Sequence, residues 1–239
     1  MDSADFTCLI NSLTSFRELR ETCVRHYRAL GAVLLSYHHL PPIGATGLSD
    51  AVTVSTDGFP ADVVESYRHR EYHKVDPVIR IARQATHPFR WSDAMDLPDL
   101  SEGEQAYIDD FMTGELGDGV AIPVFGPLGR NGYNGMGYGK GNPPFSERTV
   151  AELQLSAQAA HLQYCHLLMA RAPSNVTLSA REREVLMHLS SGYSKPQIAE
   201  AARLSQNTVD TYVRRIFEKL DVSDRTTAIL RAMALGLIA

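Results

Sequence analysis

The sequence predicts an α+β protein of two parts: an N-terminal α-β-α sandwich followed by a C-terminal all-α domain of four helices. Helix-like and strand-like segments mix through the first part, as expected when helices cover several antiparallel strands. A long helical pattern over 146–171 then stops at "APSNVTLS", whose proline and small polar residues indicate a linker. Four short capped helical segments follow. We therefore expect domains at 1–171 and 177–239, joined by a linker at 172–176.

In the first part, the spacing of apolar residues distinguishes helices from strands. Helices are predicted over 3–30, 60–74, 78–84 and 146–171, the last with Ser146 as its N-cap. Strands are predicted over 32–39, 51–56, 119–127 and within the glycine-rich segment 131–141.

The composition is that of a globular protein, with 44% hydrophobic and 21% charged residues in a chain of 239. The net charge of −5 conceals an asymmetry. From Ser174 onward the chain has nine basic and seven acidic side chains, a net of +2, so the remainder carries −7. An acidic first part and a mildly basic second part indicate modules with different partners, and the basic excess permits contact with phosphates.

The sequence also bears on location and metal binding. No apolar run approaches the ~20 residues that span a bilayer, and the N-terminus lacks the basic and apolar regions of a signal peptide. Cys8, Cys23 and Cys165 have no metal-ligand spacing and fit reduced thiols. We therefore expect a cytoplasmic protein without a metal site or a membrane segment.

The second part has clear helix boundary signals. Ser179 and Glu182 form a capping-box pattern at the start of the first helix, and Gly192 is suited to the left-handed turn that ends it. The next three helices are predicted to begin at Ser194, Ser205 and Ser223, and the last to end at Gly236.

The third of these helices, "SQNTVDTYVRRIFEKL", has two different faces. One face is an apolar stripe that predicts a core contact, made of Val209, Val213, Ile216 and Leu220. The other face presents Asn207, Thr211, Arg214, Arg215 and Glu218. A helix held in this way after a tight turn is typical of the helix-turn-helix, whose second helix enters the DNA major groove. An ordinary solvated face is the alternative interpretation of the same charges.

The outward side chains have the chemistry of a DNA-binding surface. Arg214 can pair with a guanine edge or a phosphate, and Thr211 can contact a thymine methyl group. Asp210 can accept a hydrogen bond from cytosine, or simply favour the helix N-terminus. The predicted DNA-binding set is completed by the phosphate candidates Arg215, Lys219 and Lys195, and by Asn207 and Thr208.

The whole pattern "LSAREREVL….SG.S..QIA….LS..TV.TYV..I..KLDVSDRTTAI" closely resembles the LuxR-type helix-turn-helix domain. Gln197 stands where that family usually has Glu, and Tyr212 where it often has His. The resemblance implies binding to double-stranded promoter DNA. It also implies dimerisation through the last helix, where the available apolar residues are Ile229, Met233 and Leu237.

A segment of the first part, "ESYRHREYHKVDPVIRIARQATHPFRWSD", resembles the autoinducer-binding domain of quorum-sensing regulators. Its pattern "Y….Y…DP………..W.D" is matched by Tyr67, Tyr72, Asp76, Pro77 and Trp91. Gly119 fits the family glycine that precedes a strand beside the ligand. The resemblance implies a ligand-binding domain for a small diffusible signal, an acyl- or aryl-homoserine lactone, and no other cofactor.

The polar groups of such a lactone determine what its site must provide. The buried amide N–H needs an acceptor, which Asp76 supplies, and the lactone carbonyl needs a donor such as the indole N–H of Trp91. The acyl carbonyl can accept from Tyr67, with Tyr138 or Tyr133 as a second donor. Other candidate ligand-site residues are Phe59, Tyr72, Val75, Val78, Phe111 and Ile122. Taken singly, Trp91 also fits plain core and Asp76 a helix cap.

The first part departs from the autoinducer-binding pattern at several positions. Val63 stands where an aromatic Trp is usual, Glu115 where a glycine is common, and Gly117 where a basic residue is common. The segment "GPLGRNGYNGMGYGKG" is unusually rich in glycine, which allows close backbone approach or an adaptable wall. These changes favour a bulky, aromatic or non-lactone signal.

Together the patterns predict a ligand-responsive, homodimeric transcription factor in which the signal stabilises the first domain. Helix 146–171 is expected to contribute to the dimer. In one alternative the second domain still binds DNA, but the first domain binds a non-lactone signal or a protein partner. Another is an enzyme fused to that domain, which the sequence disfavours because it contains no "G-x-S-x-G", no "H-E-x-x-H" and no paired Cys ligands.

Overall fold

The computed structural model describes residues 2–45, 53–112, 116–171 and 176–238. The described residues form two compact units, one from those of 1–40 and 51–170 and the other from those of 41–50 and 171–239. The predicted linker falls mainly on 172–175, which lie outside the described residues.

The first unit contains both helices and strands. Its helices are α1 (Ser3–Ser12), α2 (Phe16–Ala29), α3 (Ala61–His69), α4 (Pro77–Ala82), α5 (Glu102–Tyr107) and α6 (Glu147–Arg171). Its strands are β1 (Leu34–Leu40), β2 (Thr53–Asp57), β3 (Phe89–Arg90), β4 (Gly119–Val124) and β5 (Asn131–Gly137). No described helix of either unit combines the length and the apolar character needed to cross a membrane.

The strands form one antiparallel sheet in the order β2-β1-β5-β4-β3. Successive side chains of a strand point to opposite faces. On β1, Ser36 and His38 therefore share one face, and Leu35 and Tyr37 share the other. His38 lies opposite Tyr133 of β5. This alternation decides which side chains reach the functional site.

Helices cover both faces of the sheet, which confirms the predicted α-β-α sandwich. On one face Ile122 and Met136 pack with Leu153 of α6 in a buried cluster. On the other face Ala121 and Tyr133 pack with α4 in a second cluster. Strand β4 is buried along its whole length because both of its faces are covered.

Several sequence-based boundaries are wrong for local reasons. The helix predicted over 3–30 is two helices, because Ser15 has an extended backbone and caps α2 through the Glu18 amide. The helix predicted over 60–74 ends at His69. Glu71 then has a φ of 51°, and a short 3₁₀ helix follows. Strand β3 and helix α5 were not predicted, and residues 51 and 52 of a predicted strand lie outside the described residues.

The second unit contains α7 (Ala180–Ser190), α8 (Lys195–Ala201), α9 (Gln206–Leu220) and α10 (Arg225–Ala234). The predicted capping box of α7 is confirmed: Ser179 Oγ accepts from the Glu182 amide, and Glu182 accepts from the Ser179 amide. Gly192 has the expected left-handed backbone, with a φ of 90°. Asp224, rather than the predicted Ser223, caps α10 because its carboxylate accepts from the Thr227 amide.

Candidate functional site

A cavity of about 530 Å³ lies in the first unit, between the sheet and the layer that contains α3, α4 and α5. The sheet contributes Ser36, His38, Val54, Thr56 and Tyr133 to its wall. The helical layer and the connections contribute Phe59, Val63, Val64, Tyr67, Arg68, His73, Asp76, Val78, Trp91, Ser92, Met95, Tyr107, Phe111, Leu116, Gly117 and Asp118. This size and lining suit a small, mainly apolar ligand.

Asp76 is the buried acidic group of the cavity wall, with only 4% of its surface exposed. One carboxylate oxygen, Oδ1, accepts from the Val78 amide at 2.8 Å and thereby caps α4. The other, Oδ2, accepts from the Tyr67 hydroxyl at 2.9 Å and the Tyr133 hydroxyl at 3.4 Å. Burial raises the pKa of Asp76 to about 6, although these hydrogen bonds oppose the rise. The Asp76 side chain therefore both caps α4 and lines the cavity.

The indole of Trp91 lies on a floor of glycines from β4 and β5. A Cβ atom at Gly119 would be 2.9 Å from its Cε2, and one at Gly137 would be 2.8 Å from its Cη2. At Gly135 a Cβ would be 3.4 Å from the indole nitrogen. The glycine-rich sequence of β5 therefore allows the indole to lie flat against the sheet, because any side chain there would displace it.

Aromatic rings form much of the helical wall beside Asp76. Tyr67 meets Tyr107 and Phe111 edge to face, with ring centroids 6.1 and 6.0 Å apart. Phe59 lies 6.3 Å from Trp91 between ring centroids. Rings in these arrangements attract one another beyond their apolar contact, which stiffens the wall.

The structure brings together six of the eight predicted ligand residues as cavity-lining groups: Phe59, Tyr67, Asp76, Val78, Trp91 and Phe111. It places the other two elsewhere. Tyr72 lies behind the wall, where its hydroxyl donates to Asp110 at 2.6 Å. Tyr138 hydrogen-bonds to Asp118 and meets Phe145 edge to face. Both tyrosines are held by internal partners, so neither is available to a ligand in the cavity.

The candidate Val75 is not part of the cavity lining, and Ile122 is part of the core on the opposite face of the sheet. Glu115, a departure from the family pattern, lies outside the described residues, whereas Val63 and Gly117 line the cavity.

Sequence reasoning missed several polar residues of the cavity, including His38, Ser36, Thr56 and Tyr107. Ser36 and His38 are two residues apart on β1, and Thr56 lies opposite Ser36 on β2, so all three point to the same face of the sheet. The alternation of strand side chains could have predicted this, but only if the face that borders the cavity had been known. Asp118 was also missed. It accepts from the Ser92 amide and hydroxyl at 3.1 and 2.9 Å, which fixes the start of the 3₁₀ helix Trp91–Asp96.

In the second unit, α9 shows the predicted division into two faces. The stripe that is buried in the core is Val209, Val213, Ile216 and Leu220. The exposed residues include Asn207, Asp210, Arg214 and Arg215. Thr211 is half-buried, with its hydroxyl donating to the Asn207 carbonyl, and Thr208 pairs with the cap residue Ser205. Arg203, with a φ of 55°, makes the turn between α8 and α9.

Two of the lysines predicted to bind phosphate have ion-pair partners within the unit. The Lys219 ammonium donates to the buried Glu182 carboxylate at 2.6 Å and to the Thr177 carbonyl at 3.0 Å. Lys219 thus balances a charge inside the unit. Lys195 forms an ion pair with Asp210 at 2.5 Å, and both side chains are about half exposed. Arg214 is 71% exposed and only loosely paired with Glu218, at 3.8 Å.

Two family models match the chain, one for each unit. The model of the autoinducer binding domain matches residues 15–164. The model described as bacterial regulatory proteins of the luxR family matches residues 176–232. The two matches cover most of the described residues of the two units.

Similar proteins agree with these matches. A putative HTH-type transcriptional regulator, y4qH of Sinorhizobium fredii, is 32% identical over 70% of this chain, and the match spans about half (51%) of that relative. The quorum sensing-dependent regulator RpaR of Rhodopseudomonas palustris is 28% identical over 76% of this chain and 74% of its own. The crystal structure of Escherichia coli SdiA shares the fold, with a TM-score of 0.78, 19% identity and coverage of 99% and 98%.

The chain belongs to the LuxR family of quorum-sensing transcriptional regulators, which join an autoinducer-binding domain to a DNA-binding helix-turn-helix. The second family model is one of bacterial regulatory proteins, and RpaR is named as a transcriptional regulator.

Proposed function

We propose that this protein is a homodimeric regulator that binds an acyl- or aryl-homoserine lactone in the cavity of its first unit and promoter DNA through α9. The observation that carries the proposal is the buried carboxylate of Asp76 in the wall of a mainly apolar cavity, with the indole of Trp91 also in that wall. A carboxylate only accepts hydrogen bonds, so Asp76 suits a ligand N–H rather than a ligand carbonyl.

The polar head of a lactone complements these groups. Its amide N–H would donate to Oδ2 of Asp76, while Oδ1 keeps its bond to the Val78 amide. The Tyr67 hydroxyl, which donates to Oδ2 in the structure, would turn to the acyl carbonyl as the ligand N–H takes its place. Trp91 would donate to the lactone carbonyl. Each of these bonds adds about 1 kcal/mol, more where the partner is charged.

The apolar part of the ligand would lie against the aromatic wall. Burial of each CH₂ group contributes about 0.8 kcal/mol. Val63 lines the cavity where the family usually has a larger Trp, and the rings of Phe111 and Tyr107 face the same space. A small side chain beside several rings favours a bulky or aryl acyl group, which can meet those rings edge to face.

Ligand binding would act on DNA binding by mass action. A ligand that binds the folded first unit, and not the unfolded chain, stabilises it by RT ln(1 + [L]/Kd). The fraction of folded chains able to dimerise then rises with signal concentration, and no separate conformational switch is needed.

An exposed apolar stripe on α6 supports the dimer. Leu155, Leu162 and Met169 are spaced seven residues apart, so they lie on one side of the helix. Their side chains are 63%, 48% and 40% exposed, although other α6 residues are buried in the core of the unit. Paired stripes in a symmetric dimer would bury them. In the second unit Met233 of α10 is also 48% exposed, whereas Ile229 and Leu237 pack partly against its core.

The exposed face of α9 supports DNA binding. Asn207, Arg214 and Arg215 are exposed on α9, which follows the tight turn from α8 as the second helix of a helix-turn-helix does. A symmetric dimer carries two such helices and favours a two-fold symmetric DNA site.

Ligand retention tests the proposal. The full chain would be expressed with a panel of acyl- and aryl-homoserine lactones, purified, and extracted for mass spectrometry. We expect one or more lactones to be retained in near-stoichiometric amount. Trp91→Phe, which removes the indole N–H, should retain about tenfold less at limiting ligand. Tyr27→Phe, which removes a hydroxyl from the core on the opposite face of the sheet, is the control and should retain the wild-type amount.

One result would overturn the lactone as ligand, and a second would overturn the contact assigned to Trp91. One is a folded wild-type protein that retains no lactone from the panel but binds promoter DNA, which would favour the non-lactone or protein partner. The other is equal retention by the wild-type protein and Trp91→Phe.

A further inference from the structure

The indole N–H of Trp91 has no hydrogen bond within the described part of the chain that would set its direction. The glycines of β4 and β5 give the ring a flat floor. Such a floor limits tilting of the ring but not rotation or sliding in its own plane. The direction of the N–H is therefore determined by the backbone that carries the ring.

The strand pairing of that backbone ends just before Trp91. Strand β3 consists of Phe89 and Arg90 alone, which lie opposite Ala121 and Val120 of β4. From Trp91 onward the chain forms a 3₁₀ helix, and the first N–H groups of a helix have no partner within it. The backbone hydrogen bonds of the sheet therefore do not hold the start of this helix.

The Asp118 carboxylate holds the chain to β4 where the pairing stops. The antiparallel register, extended by two residues, places Ser92 opposite Asp118. Oδ1 of Asp118 accepts from the Ser92 amide at 3.1 Å, and Oδ2 accepts from the Ser92 hydroxyl at 2.9 Å. Oδ1 also accepts from the amide of Gly119, a floor residue, at 2.8 Å. One carboxylate thus connects the residue after Trp91 to the strand on which the indole lies.

We infer that Asp118 is a positioning residue, which holds the Trp91 indole with its N–H directed at the ligand carbonyl. The inference rests on the proposed function, because that function assigns the carbonyl contact to Trp91. Direction matters, since a hydrogen bond weakens steeply when the angle at its hydrogen falls below about 120°. A ring that is already held in place also loses less freedom when the ligand binds.

The first readout is the mobility of the indole itself. The protein has a single tryptophan, so its fluorescence reports on Trp91 alone when it is excited where tyrosine does not absorb. Time-resolved anisotropy of the full, ligand-free chain measures how freely the ring moves. We expect Asp118→Ala to lower the residual anisotropy of the folded protein, because the residue after Trp91 loses its hydrogen bonds to Asp118.

Asp57→Ala is the matched control. Asp57 is a carboxylate of β2 that accepts from Arg20 and Arg28 of α2. Its side chain points to the face of the sheet opposite that of Thr56, which lines the cavity. The variant loses a hydrogen-bonded carboxylate of the same unit but should keep the wild-type anisotropy. It therefore separates a general loss of stability from a loss of the indole position.

The second readout shows whether Asp118 acts through Trp91, since Asp118 also lines the cavity. Affinities are measured for N-octanoyl- and N-phenylacetyl-homoserine lactone, one acyl and one aryl probe. Asp118→Ala should weaken binding by about five- to tenfold. In a Trp91→Phe background it should weaken binding by less than about twofold, because no indole N–H remains to be oriented. A direct contact of Asp118 with the ligand would cause the same loss in both backgrounds.

Two results would overturn the inference and leave the proposed function intact: wild-type anisotropy in Asp118→Ala, or equal affinity losses in the two backgrounds. If the wild-type protein binds no lactone of the retention panel, the proposed function fails instead. The anisotropy then decides alone whether Asp118 holds the indole. If Asp118→Ala does not fold, Ser92→Ala takes its place, because it removes only the hydroxyl donor to Asp118. Lower anisotropy in that variant would support the inference, and the wild-type value would overturn it.

Discussion

Asp76→Asn separates the two roles of the buried carboxylate, as a helix cap and as the proposed acceptor of the ligand amide. The amide side chain keeps an oxygen for the Val78 N–H, which Oδ1 accepts at 2.8 Å. It places an NH₂ donor where Oδ2 accepts from Tyr67 and Tyr133. Those hydroxyls can reverse and accept from the NH₂ group, so the free protein keeps its hydrogen bonds but loses a buried charge.

The expected effect on stability follows from the pKa of Asp76. Burial raises it from 3.8 to about 6, so ionisation costs about 3 kcal/mol more in the folded than in the unfolded protein. The folded-state value is the higher one. The wild-type free energy of unfolding therefore falls as the pH rises from about 4 to about 6, and is constant above that. Asp76→Asn should lose this slope and be more stable at neutral pH, by up to about 3 kcal/mol.

The expected effect on binding has the opposite sign. The ligand amide N–H would meet an NH₂ group in place of a carboxylate oxygen, and a hydrogen bond to a charged group contributes about 1.5–3 kcal/mol. The affinity should fall by about 10- to 100-fold or more. In the wild-type protein, affinity should rise with pH through about 6, because the ligand binds the ionised carboxylate.

The assay combines urea unfolding at several pH values with calorimetric titration of a retained lactone. A variant that is stabilised at neutral pH and has lost affinity would support both roles. The reasoning is refuted if Asp76→Asn unfolds more easily than the wild-type protein at neutral pH, or if it binds the lactone with unchanged affinity.

Three further predictions concern the other surfaces. Lys219→Met should destabilise the second unit by about 1–3 kcal/mol, because the buried Glu182 carboxylate loses its cationic partner and keeps only the bond from the Ser179 amide. Adding Glu182→Gln should recover part of the loss in thermal unfolding. Leu162→Glu on α6 should raise the dimer dissociation constant about tenfold or more in sedimentation, whereas Leu9→Glu, at a comparably exposed leucine of α1, should not. Arg214→Ala should weaken promoter binding by about 1–3 kcal/mol in gel shifts without changing stability, and unchanged binding would contradict a contact from this side chain.

Local chemistry made much of this fold predictable. The Ser179 and Glu182 capping box, Gly192 and the apolar stripe of α9 are encoded within a few residues, so the helices of the second unit were predicted with small errors at their ends. The α-β-α sandwich was also predicted from the sequence, and so was the pairing of Asp76 with Trp91 in one site. Short elements such as β3 and α5 were missed, because so few residues carry little periodic signal.

What the sequence alone determined is the family, the sandwich with its helical partner domain, and the residue types of the site. The tertiary structure decided which of those residues share the cavity. It placed Tyr72 and Tyr138 with partners outside it, tied Lys219 to Glu182, and brought His38 into the cavity wall. The physical reason is that capping and helical spacing act between neighbours in the chain. Strand pairing and side-chain burial depend instead on contacts between residues far apart in sequence, and one sequence does not specify which faces meet.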